Sequence, residues 1–252
     1  MIFLETRGLT KTFGGLQAVR SLSFTIKEGS ITALIGPNGA GKTTVFNLIT
    51  GYLPVTAGDV IFRGERINRY PSHQIAQLGI VRTFQMVRVF PNLNALDNVI
   101  VALRAPKGDT FWGGLIKTKG MREETSRNRR RALELLDQVG LADYKDEYAA
   151  NLGFGQQKLL EIARAMATDP KLLLLDEPTA GLSLDMTVSM QELIGTLKQQ
   201  GKTILFVEHD MRVVMGISDW IYVLNYGEKI AEGPPEEVKR DQRVIEAYLG
   251  TD

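Results

Sequence analysis

The sequence predicts an α/β fold built on a mostly parallel sheet. Two short, continuous apolar runs, at residues 172–175 and 204–207, are typical of strands buried on both faces of such a sheet. Segments with apolar residues at helical spacing alternate with these runs, which is the pattern of α/β proteins. In such folds ligands bind at the carboxyl ends of the strands. The residues that directly follow each apolar run are therefore the first candidates for chemistry.

The amino-terminal part of the chain predicts strands, then one helix, then another strand. Residues 1–35 are rich in strand-forming residues and end in a buried run at 31–35. Apolar residues at helical spacing follow, and Gly51 ends that helix. A further strand is predicted at 60–62, before a turn. We expect these amino-terminal strands to form an antiparallel β subdomain.

The middle of the chain differs in character from both ends. It begins with Pro and Gly, passes an aromatic and glycine-containing stretch at 111–114, and becomes polar and basic before an amphipathic helix that ends at Gly140. We interpret residues 88–165 as an inserted, mostly α-helical subdomain. Residues 1–87 and 166–252 are predicted to form the core, so that the 252 residues make one domain.

A phosphate-binding loop follows the buried run at 31–35. Its spacing is Gly-x-x-x-x-Gly-Lys-Thr, and it lies between a predicted strand and a predicted helix, which is the context it requires. Its glycines allow backbone N–H groups to surround phosphate oxygens, and the positive end of the helix faces the same phosphates. The lysine can reach the β and γ phosphates, and the first threonine hydroxyl can hold Mg²⁺. The residues concerned are Gly36, Pro37, Asn38, Gly39, Ala40, Gly41, Lys42, Thr43 and Thr44.

Two further strand ends carry candidate catalytic residues. Asp176 follows the run at 172–175 and is placed to hold Mg²⁺ through water, and Glu177 is placed to orient or deprotonate an attacking water. The alternative is that both acids cap the next helix. His209 follows the run at 204–207, where it can bridge the γ-phosphate and that water; the alternative is a structural histidine.

Taken in order along nearly the whole chain, these motifs resemble those of the ATP-binding subunits of ABC transporters. The resemblance implies a P-loop NTPase core and an ATPase that uses ATP and Mg²⁺, with hydrolysis coupled to transport. It implies that Phe13 stacks on adenine, although a core or edge aromatic is the alternative. It also implies that Gln85 senses Mg²⁺ and the attacking water, and that Asp185 is the acid of a loop that crosses a dimer interface.

The signature motif departs from the usual Leu-Ser-Gly-Gly-Gln of that family. A glycine replaces the serine whose hydroxyl would bond the γ-phosphate held by the opposite subunit. A lost charge-assisted hydrogen bond is worth about 1.5–3 kcal/mol, so we expect a site that still closes, but more weakly. The residues of the motif here are Leu152, Gly153, Phe154, Gly155 and Gln156.

One branch of the family is most similar. Residues 81–90 resemble the corresponding segment of the ATPases of branched-chain amino acid importers, and residues 111–120 and 244–250 resemble an insertion and an ending found in the same branch. The resemblance implies that the chain powers uptake of leucine, isoleucine and valine or of related small polar solutes. The ATPase of a lipopolysaccharide or lipid exporter is the alternative. A non-transport ABC ATPase acting on nucleic acid or ribosomes is a more distant one.

Composition and resemblance together define the expected partners. Thirty Lys and Arg against 29 Asp and Glu give a net charge of +1, which argues against a nucleic-acid partner. No cysteine is present, which excludes a disulfide framework and a thiolate metal site. The resemblance implies integral membrane permease subunits, a second ATP-binding subunit and, indirectly, a solute-binding protein. We expect the second ATPase to be a related but different chain, with a homodimer as the alternative.

The expected location follows from these partners. No apolar run approaches the roughly 20 residues that a membrane-spanning helix needs, and we expect no signal peptide. The chain is therefore expected to be soluble when isolated and to lie peripherally on the cytoplasmic face of the inner membrane. Residues 86–98 are expected to contact the permease through apolar side chains, some of which are expected to be subdomain core instead.

Overall fold

The structure is a computed structural model that describes residues 1–103 and 119–249. It contains two compact units, one formed by Met1–Gln85 with Lys171–Asp252 and the other by Met86–Pro170. The predicted boundaries at 87/88 and 165/166 differ from these bounds by a few residues. Their interpretation as a catalytic core and a helical subdomain stays a prediction. Residues 111–118 of the predicted insertion, and Gly250, lie outside the described residues.

The first unit contains two sheets. A four-stranded antiparallel sheet has the order β2-β1-β4-β5, and a six-stranded sheet has the order β10-β9-β3-β8-β7-β6. In the second sheet β6, β7, β8, β3 and β9 run parallel, and β10 is antiparallel at one edge. The strands are β1 Ile2–Phe13, β2 Leu16–Lys27, β3 Ile31–Ile35, β4 Ala57–Phe62, β5 Glu65–Arg66, β6 Ile80–Arg82, β7 Leu172–Asp176, β8 Thr203–Val207, β9 Trp220–Asn225 and β10 Glu228–Gly233.

The helices are divided between the units. The first unit contains α1 Lys42–Ile49, α2 Ser72–Leu78, α6 Leu184–Gln199, α7 Met211–Ile217, α8 Pro235–Val238 and α9 Gln242–Leu249. The second contains α3 Ala95–Ile100, α4 Lys119–Gln138 and α5 Phe154–Ala167. These sheets and helices confirm the predicted fold class. Among the described residues, none of the helices combines the length and apolar character required to cross a bilayer.

The core of the first unit explains why its strands are continuous apolar runs. Every residue of β3, β7 and β8 is buried, as expected for strands covered on both faces. Phe46 of α1 and Leu205 of β8 are fully buried in the same cluster. Because β3, β8, β7 and β6 are parallel neighbours, their carboxyl ends meet at one edge of the sheet. The segments that follow these strands are thereby brought together.

Candidate functional site

At two positions in the loop between β3 and α1, only glycine fits the backbone conformation and the available space. Gly36 has φ +151°, and a Cβ there would lie 2.1 Å from the carbonyl oxygen of Leu224. Gly41 has φ +102°, and a Cβ there would lie 2.5 Å from the carbonyl oxygen of Ala18. Both contacts are far inside van der Waals distance. These glycines therefore permit the close turn that presents backbone N–H groups on the inside of the loop.

The loop encloses the Lys42 ammonium. Its Nζ donates to the carbonyl oxygen of Gly36 at 2.7 Å and to that of Pro37 at 2.9 Å. Burial lowers the pKa of Lys42, and the carboxylates of Glu177 and Asp176 act in the opposite direction. The positive charge is thus held by two backbone carbonyl groups of the loop, and an anion can replace these two contacts.

A depression of about 310 Å³ lies where β3, β7 and β8 end. It brings together most of the residues that the sequence predicts for phosphate binding and catalysis. The lining residues are Ala18, Asn38, Gly39, Ala40, Gly41, Lys42, Thr43, Thr44, Gln85, Glu177 and His209. Such a depression, with an oxyanion-binding loop on one side and a carboxylate on the other, is suited to hydrolysis of a phosphate anhydride.

Two side chains hold the Glu177 carboxylate in this depression. Gln85 Nε2 donates to Oε2 of Glu177 at 3.0 Å, and His209 Nε2 lies 2.9 Å from Oε1. Glu177 has φ +51°, a left-handed conformation that costs a residue other than glycine about 1–3 kcal/mol. Its backbone N–H donates to the carbonyl oxygen of Val207 at 3.0 Å, which helps to maintain that conformation. One backbone hydrogen bond and two side-chain contacts therefore fix the position of Glu177.

The oxygen donors near the loop fit Mg²⁺. Thr43 offers a hydroxyl and Asp176 a carboxylate, and both are hard ligands of the kind Mg²⁺ prefers. Among the described residues there is no cluster of three or more His, Cys, Asp or Glu side chains able to hold a metal. Mg²⁺ is typically bound by one or two protein oxygens, with water and substrate phosphates completing its octahedron. The donor set agrees with that arrangement.

Glu208 is a site residue to which the sequence prediction assigned no role. Its buried carboxylate accepts from Thr179 N at 2.8 Å and Thr179 Oγ1 at 2.5 Å through Oε1, and from the backbone N–H of His209 at 3.0 Å through Oε2. It thereby joins the segment after β7 to the segment after β8. A charged residue directly after a fully apolar strand is the sequence signal that can reveal such a role.

Several predicted residues lie elsewhere. Phe13, at the end of β1, does not line the depression; it is 43% exposed, with Lys11 Nζ 5.0 Å from its ring centre. Asp185 lies in the first turn of α6, whose N-cap is Ser183. Four further predicted residues, all in the second unit at the start of α5, are Gly153, Phe154, Gly155 and Gln156.

The start of α5 is capped by its own glutamine. Gly153 is the N-cap residue, and its backbone N–H donates to Oε1 of Gln156 at 3.0 Å. Phe154 is exposed and has Lys158 Nζ 5.4 Å from its ring centre, whereas Gly155 is buried. Among residues 1–103 and 119–249, a Cβ on Gly153 would meet only Gln156 Oε1, at 3.6 Å, and the φ of Gly153 is −60°. A serine is therefore sterically acceptable at this position.

Helix α9 lies beside the phosphate loop. Burial raises the pKa of Tyr248 to about 12, and the backbone N–H of Gly36 acts in the opposite direction. The phenol is therefore close to the first residue of the loop. A second depression, of about 390 Å³, is lined on one side by Pro37 and Asn38 and on the other by Arg243 of α9.

The fold and the depression define an ATP-binding cassette of the P-loop class. A sequence profile described as "ABC transporter" matches residues 19–180, and one described as "Branched-chain amino acid ATP-binding cassette transporter" matches residues 228–252. The chain belongs to the ABC transporter ATP-binding family and is an ABC-type ATPase subunit, as predicted. Homologues of this kind work with membrane permease subunits.

Individual relatives match over nearly their whole length. The chain is 46% identical to the high-affinity branched-chain amino acid transport ATP-binding protein LivG of Salmonella typhimurium, over 98% of this chain and 97% of that one. It is 44% identical to the protein BraF of Pseudomonas aeruginosa, which carries the same description, at the same coverage. The crystal structure of the ADP conformation of MJ1267, an ATP-binding cassette of an ABC transporter, matches with a TM-score of 0.85, 32% identity and complete coverage of both chains.

Proposed function

We propose that this chain hydrolyses ATP to power the uptake of branched-chain amino acids, or of related small polar solutes, by a membrane transporter. The observation that carries the proposal is the match over 98% of the chain to proteins named for branched-chain amino acid transport. The separate match of residues 228–252 to a profile of the same description supports it. Glu177, whose carboxylate lines the same depression as the phosphate loop, is the proposed acceptor of the proton from water.

In the proposed mechanism, Lys42 exchanges its two carbonyl contacts for oxygens of the β and γ phosphates. Glu177 takes a proton from the attacking water, and Gln85 and His209 keep its carboxylate oriented. Thr43, Asp176 and Gln85 would hold Mg²⁺. When bound, Mg²⁺ neutralises charge on the β and γ phosphates. The chain's own groups thus position the water, the base and the phosphates before reaction begins.

We further propose that the working unit contains two ATPases arranged head to tail. Residues 153–156 of one chain would face the γ-phosphate held by the other, through the backbone N–H groups and the positive end of α5. Asp185 would lie at the same interface, and Phe13 would stack on adenine. ATP would stabilise the closed pair, and hydrolysis would release it. The second ATPase is proposed to be a related, different chain.

The remaining proposed partners are two membrane permease subunits and, through them, a solute-binding protein. The chain would then lie peripherally on the cytoplasmic face of the inner membrane. Met86 is 81% exposed and Phe90 is exposed, and both are suited to contact an apolar partner segment. Val87, Val89 and Leu93 are half-buried, so we assign them a share in the packing of the second unit.

Purification from native membranes tests this function. We expect two different permease subunits and a second, related ATPase to be recovered with the chain, and we expect ATP turnover of the complex to rise when leucine-loaded binding protein is added. Recovery of lipid-exporter permeases, with this chain as the sole ATPase, would support the export alternative. Recovery of nucleic-acid machinery alone, with salt-sensitive nucleic-acid binding, would contradict a transport role.

A serine at Gly153 is expected to strengthen ATP-driven dimerisation. The added hydroxyl supplies a hydrogen bond to a charged phosphate, worth about 1.5–3 kcal/mol, which corresponds to a dissociation constant about 10- to 100-fold lower. Analytical ultracentrifugation with ATP, including the partner ATPase if the pair is heteromeric, measures it. Gly195→Ser makes the same change within α6, where none of the described residues lies within 4 Å of the added Cβ. Equal dimerisation of Gly153→Ser and the parent would refute the assignment of position 153 as a contact to the γ-phosphate of the opposite subunit.

A further inference from the structure

Arg82, the last residue of β6, is a buried cation paired with Asp176, the last residue of β7. Its Nη2 donates to Oδ2 of Asp176 at 2.6 Å, and its Nη1 donates to Oδ1 of Asn47 at 2.6 Å. The side chains of Arg82 and Asp176 are 8% and 4% exposed. The guanidinium carbon lies 5.4 Å from the ring centre of Phe46 and 5.2 Å from that of Phe84. Hydrogen bonds and aromatic rings therefore fix this group in one position.

Each element that Arg82 connects carries a residue proposed to bind Mg²⁺. Asn47 lies on α1, one turn after Thr43. Asp176 is the last residue of β7, and Gln85 follows β6 itself by three residues. A planar guanidinium donates in fixed directions, unlike an ammonium on a flexible stem. One arginine thus sets the relative positions of three metal-binding elements.

The contact also selects which oxygen of Asp176 is free. Within residues 1–103 and 119–249, no hydrogen bond reaches Oδ1 of Asp176, whereas Oδ2 is bound to Arg82. A carboxylate this deeply buried requires a charged or hydrogen-bonding partner. Arg82 supplies one and leaves the other oxygen available to a metal-bound water.

We propose that Arg82 is a positioning residue that orients the Asp176 carboxylate, relative to α1 and Gln85, for binding of Mg²⁺. The inference rests on the proposed role of Asp176 as a Mg²⁺ residue. Substitution of a residue that hydrogen-bonds to a metal ligand typically lowers metal affinity or activity by about 10- to 100-fold. The positive charge of Arg82 by itself repels Mg²⁺. Its favourable effect on Mg²⁺ binding must therefore come from the orientation that it gives to the Asp176 carboxylate.

Two charge-preserving variants separate geometry from charge. Arg82→Lys retains the cation but loses the planar fork, and Asn47→Ala retains the arginine but removes its contact with α1. We expect the Mg²⁺ concentration for half-maximal ATP hydrolysis to rise about 10- to 100-fold in Arg82→Lys, and less in Asn47→Ala. Binding of a fluorescent ATP analogue is expected to lose its Mg²⁺-dependent gain in affinity, with its affinity in EDTA unchanged. Arg66→Lys, at the exposed ion pair with Asp59, is the matched control.

Three results would overturn or redirect the inference. A parental Mg²⁺ response in Arg82→Lys overturns it, and so does an equal loss of affinity with and without Mg²⁺, which indicates a merely structural ion pair. If Arg82→Lys does not fold, Asn47→Ala decides the question by the same two readouts. Asp176→Asn distinguishes the metal-binding role of Asp176 from the positioning role of Arg82. A parental Mg²⁺ response in Asp176→Asn refutes the metal role itself, whereas a loss confined to Asp176→Asn refutes only the positioning role.

Discussion

Glu177→Gln is expected to reduce ATP turnover by about 10²–10⁴-fold while ATP still binds. An amide cannot accept the proton of the attacking water, but it has nearly the same shape and can keep hydrogen bonds to Gln85 and His209. The loop that binds phosphate is unchanged by the substitution. ATP-bound dimers should therefore persist. Steady-state phosphate release and binding of a fluorescent ATP analogue measure the two effects separately.

Glu228→Gln is the matched control for this experiment. It makes the same chemical change at an exposed position on β10, where Glu228 pairs with Arg20 at 3.4 Å. Exposed ion pairs contribute little, so turnover and stability should remain close to those of the parent. Near-normal turnover in Glu177→Gln would show that another group accepts the proton. Loss of ATP binding in that variant would instead assign Glu177 to ground-state binding.

Gly36→Ala is expected to abolish ATP binding and to lower the free energy of unfolding by about 3 kcal/mol. The added methyl group would lie 2.1 Å from the carbonyl oxygen of Leu224 and 3.0 Å from Cβ of Ala40. Leu224 belongs to β9, which is paired with β3, so neither side of the contact can move without disturbing the sheet. Denaturant unfolding and nucleotide titration measure the two losses.

Gly39→Ala separates crowding from backbone conformation within the same loop. Gly39 has φ +80°, but within the part of the chain that the structure describes no atom lies within 4 Å of an added Cβ. Only the left-handed backbone then opposes the substitution, at a cost of about 1–2 kcal/mol. Partial ATP binding is expected to remain. Equal loss of stability in the two variants would mean that backbone conformation, and not the close approach of β9, makes glycine necessary at position 36.

The parts of the site that sequence predicts well are those in which neighbouring residues act together. The phosphate loop follows from eight contiguous residues, and Asp176 and Glu177 follow from their position after a fully apolar run. Nothing local predicts Arg82, because an arginine in a three-residue strand resembles a surface cation until β6 is seen to pair with β7. The contact of Gln85 with Glu177 likewise joins residues 92 positions apart. A pattern within one segment cannot contain such information.

The sequence also predicts the existence of a strand more easily than the length of that strand. The buried runs at 31–35, 172–175 and 204–207 correspond to β3, β7 and β8, because a strand covered on both faces must be apolar throughout. By contrast, β1 and β2 each span 12 residues with register irregularities, and their mixed burial leaves no simple alternation. Their extent follows from pairing with each other, which is a property of the folded chain.

The position of Tyr248 has a practical consequence for work with the purified protein. A tag or fluorescent protein inserted directly after α9 would be attached close to the Tyr248 phenol, which lies next to Gly36. A bulky fusion at that point is expected to distort nucleotide measurements by displacing the helix. Met1 is 94% exposed and precedes a strand of the antiparallel sheet, so a label there leaves the nucleotide loop undisturbed.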